Sequence, residues 1–231
     1  MAELILALDL PDRSSALRML DRLPSLRWVK IGSILMTAEG PSLVQEITGR
    51  GLSVFLDLKW HDIPNTVRGA IAAARGLGVR MATVHLLGGP AMLKAAAEAA
   101  GDALAVVGVT VLTSHSEAEY AHTTGRPSVR LLDEAARLAR MGMAAGLAGV
   151  VSSPLEVDRL RSGLGPEALI VVPGIRRPSD DADDQTRTAT PAEAIRQGAT
   201  HLVIRRPLRR PVRHRAMGPR IRQPLDARNH P

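Results

Sequence analysis

The chain has no cysteine in its 231 residues, which excludes disulfides, thiolate metal sites and cysteine nucleophiles together. It has only four aromatic residues, two Trp, one Tyr and one Phe, and none lies beyond Tyr120. A surface that stacks nucleic-acid bases on aromatic rings is therefore not expected. No run approaches the ~18 consecutive apolar residues of a membrane span. Met1 leads within a few residues into a strand-like segment, which argues against a secretory signal, so no membrane association and a cytoplasmic location are expected. Lysine is also scarce, with Lys30, Lys59 and Lys94 the only three.

What the chain does have is arginine, and its placement is uneven. The formal net charge is +7. Residues 1–203 hold 21 basic and 22 acidic side chains, whereas residues 204–231 hold nine Arg and one Asp. The basic excess thus belongs to the last 28 residues, and a nucleic-acid partner, the usual reading of such charge, could rest only on that tail. The remainder reads as a near-neutral domain, long enough to bury roughly 70–75% of its unfolded surface.

Short β-branched runs alternate with segments of helical period. The strand-like runs are Leu4–Leu8, Trp28–Ile31, Val54–Leu58, Met81–His85, Leu104–Thr110, Gly149–Ser152, Leu169–Val172 and His201–Ile204. Eight strands at a spacing of about 28 residues predict an α/β fold, a (β/α)8 TIM barrel. Helix starts are expected at Pro64, at Ser128 ahead of Val129–Ala145, at Ser153-Pro154 and at Thr190-Pro191, with Gly198 as a stop. After Ile204 the pattern ends. Five prolines fall in the tail, so the last helix is expected to be missing or replaced by a disordered Arg/Pro-rich segment. The expected division is a barrel over residues 1–204 and a basic tail over 205–231.

Two of the three lysines stand at strand ends beside carboxylates. Lys30 lies in Trp28-Val29-Lys30-Ile31-Gly32, and Asp57-Leu58-Lys59-Trp60-His61-Asp62 ends the third strand and enters its loop. With a strand period of two, Asp57 and Lys59 share one side of the sheet, and Lys30 can reach them from the neighbouring strand. Asp-x-Lys-x-x-Asp also fits a structural ion-pair network. The C-terminal ends of barrel strands, where active sites are built, favour function. His61 and His85 lack a convincing set of further metal ligands. The acidic run Asp180–Asp184 lacks the Gly and terminal Glu of a calcium loop and reads as a solvated lid.

These residues carry a resemblance. Asp57-Leu58-Lys59-Trp60-His61-Asp62-Ile63-Pro64-Asn65-Thr66-Val67 resembles the signature of the orotidine 5′-phosphate decarboxylase family. Leu6-Ala7-Leu8-Asp9, Val29-Lys30-Ile31-Gly32, Thr83-Val84-His85 with Gly88-Gly89, Val109–Ser114, Val172–Arg176 and Asp184-Gln185-x-Arg187 match in order and spacing over about residues 3–204. The resemblance implies decarboxylation of orotidine 5′-monophosphate to UMP and CO2, in pyrimidine biosynthesis, without cofactor or metal.

It also implies roles. Asp9 and Lys30 are expected at the ribose hydroxyls, and Lys30, Asp57, Lys59 and Asp62 in an alternating-charge array at the reacting carbon. Lys59 would supply the proton. Asp62, Ile63 and Thr66 are expected to reach a partner subunit's site in a homodimer. Thr113 and Ser114 would meet the pyrimidine edge and Pro173 would wall its pocket. Arg176 would stand beside the site, Gln185 would close between base and phosphate, and Arg206 would hold the phosphate, with Arg205 next to it.

The chain departs from the family at the eighth strand. Val-x-Gly-Arg-Pro is usual there, whereas this chain reads Val203-Ile204-Arg205-Arg206-Pro207. Arginine replaces a glycine that permits close backbone approach to the phosphate. The tail is either a natural basic extension or an altered reading frame. Two other functions fit parts of the sequence: a metal-dependent sugar-phosphate epimerase or decarboxylase on the same type of barrel, and a catalytically impaired barrel whose tail binds nucleic acid. The Asp-Ile-Pro-Asn-Thr-Val continuation and the Leu-Thr-Ser motif argue against the first.

Overall fold

The computed structural model describes residues 2–175 and 190–205. Its eight parallel strands are β1 (Glu3–Ala7), β2 (Trp28–Gly32), β3 (Ser53–Trp60), β4 (Met81–His85), β5 (Ala105–Val109), β6 (Gly149–Val151), β7 (Leu169–Val172) and β8 (His201–Ile204). They close in sequence order, with β1 pairing β8 from Glu3↔His201 to Leu6↔Ile204. This is the (β/α)8 barrel expected from the strand spacing. The helices are α1 (Arg13–Asp21), α2 (Ser33–Gly49), α3 (Pro64–Gly76), α4 (Gly89–Ala100), α5 (Glu117–Thr123), α6 (Leu131–Ala144), α7 (Val157–Leu164) and α8 (Pro191–Gln197). The segment after β8, where the last helix was expected to be lost to an Arg/Pro-rich tail, lies outside the described residues from 206 on.

Local chemistry explains most helix starts. Pro64 opens α3, where its missing N–H costs nothing. Ser153 with Glu156 and Thr190 with Glu193 form reciprocal capping boxes ahead of α7 and α8. Gly198 ends α8 in the left-handed conformation, φ 106°. The start of α6 differs from expectation. Arg130 rather than Ser128 is its N-cap, and Glu117 of α5 accepts from the Leu131 N–H in place of a local cap. The short α5 is an addition to the strand–helix repeat, and its Ser116–Glu119 capping box is legible in the sequence.

Two apolar layers hold the barrel. Ile5, Ala7, Phe55, Met81, Val107, Val171 and Val203 fill its interior. A larger layer, including Leu6, Val29, Leu56, Val84 and Ile170, packs the outer wall against the helices. The alternation of inner and outer residues along each strand is the period-two pattern of the sequence. Trp28 meets His201 edge-on at 5.6 Å inside. Burial pushes the His201 imidazole down to about 4 and keeps it neutral. On the outside, buried Glu134 of α6 accepts from Tyr120 Oη at 3.1 Å, Arg126 Nη1 at 3.0 Å and Arg137 Nη2 at 2.7 Å, tying α5 to α6.

Candidate active site

On β1, β2, β3, β4 and β8 the inner side continues past the apolar layer into polar residues. Asp9 follows Ile5 and Ala7, Lys30 follows Trp28, Asp57 and Lys59 follow Phe55, Thr83 and His85 follow Met81, and Arg205 follows Val203. Lys30 and Thr83 lie at mid-strand, Asp57, Lys59 and His85 lie toward the C-terminal ends, and Asp9 and Arg205 lie just beyond theirs. The barrel closure brings together residues separated by up to 196 positions in the chain.

The result is a row of alternating charge. Arg205 Nε lies 3.1 Å from Asp9 Oδ2, and Asp9 Oδ1 lies 3.1 Å from Lys30 Nζ. Lys30 Nζ lies 3.5 Å from Asp57 Oδ2, and Asp57 Oδ1 lies 2.9 Å from Lys59 Nζ. Within this row, among the described residues, three cations alternate with two carboxylates, an arrangement that suits an anionic ligand. Burial pushes Asp9 up, but the charges and hydrogen bonds of Lys30 and Arg205 outweigh it and hold the carboxyl below its ordinary value. Gly32 leaves the row its space, since a Cβ there would stand 3.0 Å from Lys30 Nζ.

Lys59 has φ 52°, the only non-glycine positive φ among the described residues. It sits where β3 and β4 lose register, between Leu56↔Ala82 and Trp60↔Val84. Fully buried Thr83 spans the irregularity. Its Oγ1 accepts from Lys59 N at 2.7 Å and donates to Asp57 Oδ1 at 3.1 Å. In the sequence Thr83 stands only within the Thr83-Val84-His85 match; its period-two place on β4, opposite the Asp57–Lys59 segment, is the signal for a site role.

His61 stacks on His85 at 5.5 Å and 18°. Burial first, and then the charges of His61, Lys59 and His115, push His85 down to about 4. Its Nδ1 accepts from Leu87 N, which leaves it neutral and locally engaged. Among the described residues no group of three or more His, Cys, Asp or Glu could hold a metal ion.

The other expected site residues among those described lie in loops that follow β3, β5 and β7 or at the start of α3. Pro173 follows β7 and is half-buried. Thr113 and Ser114 form the turn after β5 that His115 N closes onto Leu112 O at 3.0 Å. Ile63 caps α3 and is 66% exposed, with Thr66 in the exposed first turn. Asp62 does not join Lys30, Asp57 and Lys59 within one chain. The chain turns into α3 at Pro64, and the Asp62 carboxylate accepts from Ile63 N at 2.6 Å instead. Asp62 makes no ion pair among the described residues. Arg176, Gln185, the acidic run Asp180–Asp184 and Arg206 lie outside the described residues.

A closed (β/α)8 barrel with a paired-charge cluster at the C-terminal ends of its strands defines a barrel enzyme. The chain belongs to the orotidine 5′-phosphate decarboxylase / HUMPS family, whose sequence pattern it matches over residues 2–216. It is 44% identical over 227 residues to the orotidine 5′-phosphate decarboxylase of Nitrosospira multiformis, covering 96% of this chain and 93% of that protein. It is 47% identical over 210 residues to the orotidine 5′-phosphate decarboxylase of Opitutus terrae, covering 89% and 90%. Among solved structures, the orotidine 5′-phosphate decarboxylase of Lactobacillus acidophilus superposes with a TM-score of 0.79 at 34% identity, covering 90% of this chain and 91% of the other. The family match continues past Ile204 into the basic segment.

Proposed function

We propose that this protein decarboxylates orotidine 5′-monophosphate to UMP and CO2. The observation that carries the reading is the Lys30–Asp57–Lys59 cluster at the barrel mouth, in a chain that belongs to the family named for this reaction.

The chemistry suits the cluster. Loss of CO2 from C6 of the pyrimidine leaves an electron pair in the ring plane, where no π-system accepts it. A fixed cation beside that carbon stabilises the charge, and Lys59 supplies both this cation and the proton that replaces CO2. Asp57 stands against the departing carboxylate. Two such charges 4 Å apart at an effective dielectric of about 20 repel by ~4 kcal/mol, and the repulsion is relieved as CO2 leaves. Lys30, shared between Asp9 and Asp57, fixes both carboxylates. Asp9 receives the ribose hydroxyls.

Thr113, Ser114 and Pro173 border the base, and Arg176, Gln185, Arg205 and Arg206 serve the base and phosphate end. Binding energy from the phosphate supports closure and exclusion of water. No cofactor takes part. We read the active unit as a homodimer, in which Asp62, Ile63 and Thr66 enter the partner's site. The exposure of Ile63 and the absence of Asp62 from its own chain's charge row support this. A pyrimidine-nucleotide substrate accords with a cytoplasmic setting.

The test is the fall in absorbance when orotidine 5′-monophosphate is added, measured with and without EDTA. Turnover that survives the chelator and is abolished in Lys59→Ala is expected. Turnover unchanged by Lys59→Ala defeats the mechanism, and turnover lost with EDTA points to the metal-dependent reading.

A further inference from the structure

Thr83 is a polar residue on a wall whose deeper positions are apolar. Its inward neighbours on the same and adjoining strands are Met81, Phe55 and Val107, and it is fully buried. A buried hydroxyl is costly unless its hydrogen-bonding capacity is used. Here both donor and acceptor are engaged, and both partners belong to the proposed reacting pair.

The register explains why a hydroxyl is needed. Between the pairs Leu56↔Ala82 and Trp60↔Val84, three residues of β3 face a single residue of β4. Such a bulge leaves backbone groups without ladder partners. Thr83 Oγ1 takes the place of a carbonyl for the Lys59 N–H. Lysine at φ 52° is strained, and strain of this kind persists only where the surroundings over-determine it. The same Oγ1 donates to Asp57 Oδ1, the oxygen that also meets Lys59 Nζ, while Oδ2 faces Lys30. One hydroxyl therefore sets the backbone of the lysine and the rotation of the carboxylate.

We propose that Thr83 is a positioning residue for the decarboxylation, acting through Lys59 and Asp57 by holding the bulge that aims the Lys59 ammonium. The inference rests on the reading of those two residues as the reacting pair. Misplacement of a reacting group by about 1 Å costs up to ~100-fold in rate, and that scale is expected here.

The experiment compares Thr83→Val, which keeps the branched shape and removes the hydroxyl, with Thr83→Ser, which keeps the hydroxyl. Steady-state kinetics and UMP affinity are measured well below the unfolding temperature of each variant. Thr83→Val is expected to lose kcat by roughly 10- to 100-fold, with KM and UMP affinity little changed, and Thr83→Ser to recover most of kcat. If Thr83→Val does not fold, Thr83→Ala is read by the same criteria. A folded hydroxyl-free variant with wild-type kcat, or a Ser variant as impaired as the Val variant, overturns the proposal. A crystal structure of the hydroxyl-free variant gives a readout independent of turnover. Lys59 leaving its positive φ supports the proposal, and Lys59 unmoved with Nζ still on Asp57 overturns it. An inactive wild-type chain overturns the functional reading instead, so the two failures are distinguishable.

Discussion

Asp9 joins the two ends of the barrel sequence: one of its oxygens meets Lys30 from β2 and the other meets Arg205 from beyond β8, each at 3.1 Å. The carboxylate is mostly buried, whereas Arg205 is 54% exposed. An ion pair with one solvated partner contributes at most ~1 kcal/mol. Arg205→Gly, which restores the family's usual residue, is therefore expected to leave stability within ~1 kcal/mol of wild type in urea unfolding. A larger loss would make Arg205 a structural closure of the barrel.

Asp9→Asn should act on binding. It removes the carboxylate proposed to receive the ribose hydroxyls, which is one of the two that share Lys30. A charge-assisted hydrogen bond contributes ~1.5–3 kcal/mol, so UMP affinity is expected to fall by about 10- to 100-fold in calorimetry. Unchanged affinity would remove Asp9 from the ribose site.

The proposed sharing of sites between two subunits makes a mixing prediction. Lys59→Ala and Asp62→Asn homodimers are each expected to be nearly inactive. Mixed after reversible dissociation, they should regain activity, because one site of each heterodimer then has both wild-type residues. No recovery in a mixture shown by mass to contain heterodimers would confine Asp62 to its own chain.

Buried His201 and half-buried His85 set the first step of acid sensitivity. Burial pushes both His85 and His201 down to about 4 from an ordinary value of 6.5. Between those values the unfolded chain binds protons that the folded chain does not, so stability falls as pH drops from 6.5 to 4. His201→Phe, which keeps an edge contact with Trp28, is expected to flatten this slope in unfolding midpoints measured across the interval. A slope equal to wild type would show that His201 titrates alike in the folded and unfolded chain.

Glu134 defines a second, lower window. Its hydrogen bonds from Arg137, and then those from Arg126 and Tyr120, overcome burial and hold it down at about 2, against an ordinary 4.5. The depressed folded value contributes stability above pH 4.5, which is lost as pH falls from 4.5 toward 2. Glu134→Gln should cost about 2 kcal/mol at pH 7, and the difference from wild type should shrink across that window. A difference independent of pH would mean that packing rather than charge carries the effect.

The sequence by itself determined the repeat and its phase. Strand spacing and period-two alternation specified eight parallel strands with Asp57 and Lys59 on one side, because alternation is a local property of extended backbone. Capping boxes at Ser153 and Thr190 and the proline at Pro64 marked helix starts for the same local reason. Composition located the basic excess in the tail, and the motifs carried the family.

Closure decided the rest. Asp9, Lys30, Asp57, Lys59 and Arg205 become one charge row only when β8 pairs β1 and brings together positions 196 residues apart. The turn of Asp62 away from that row depends on how β3 gives way to α3. The bulge at Lys59 and its support by Thr83 depend on the register between two strands, which no single segment encodes, because the partner of each backbone group is chosen by the neighbouring strand.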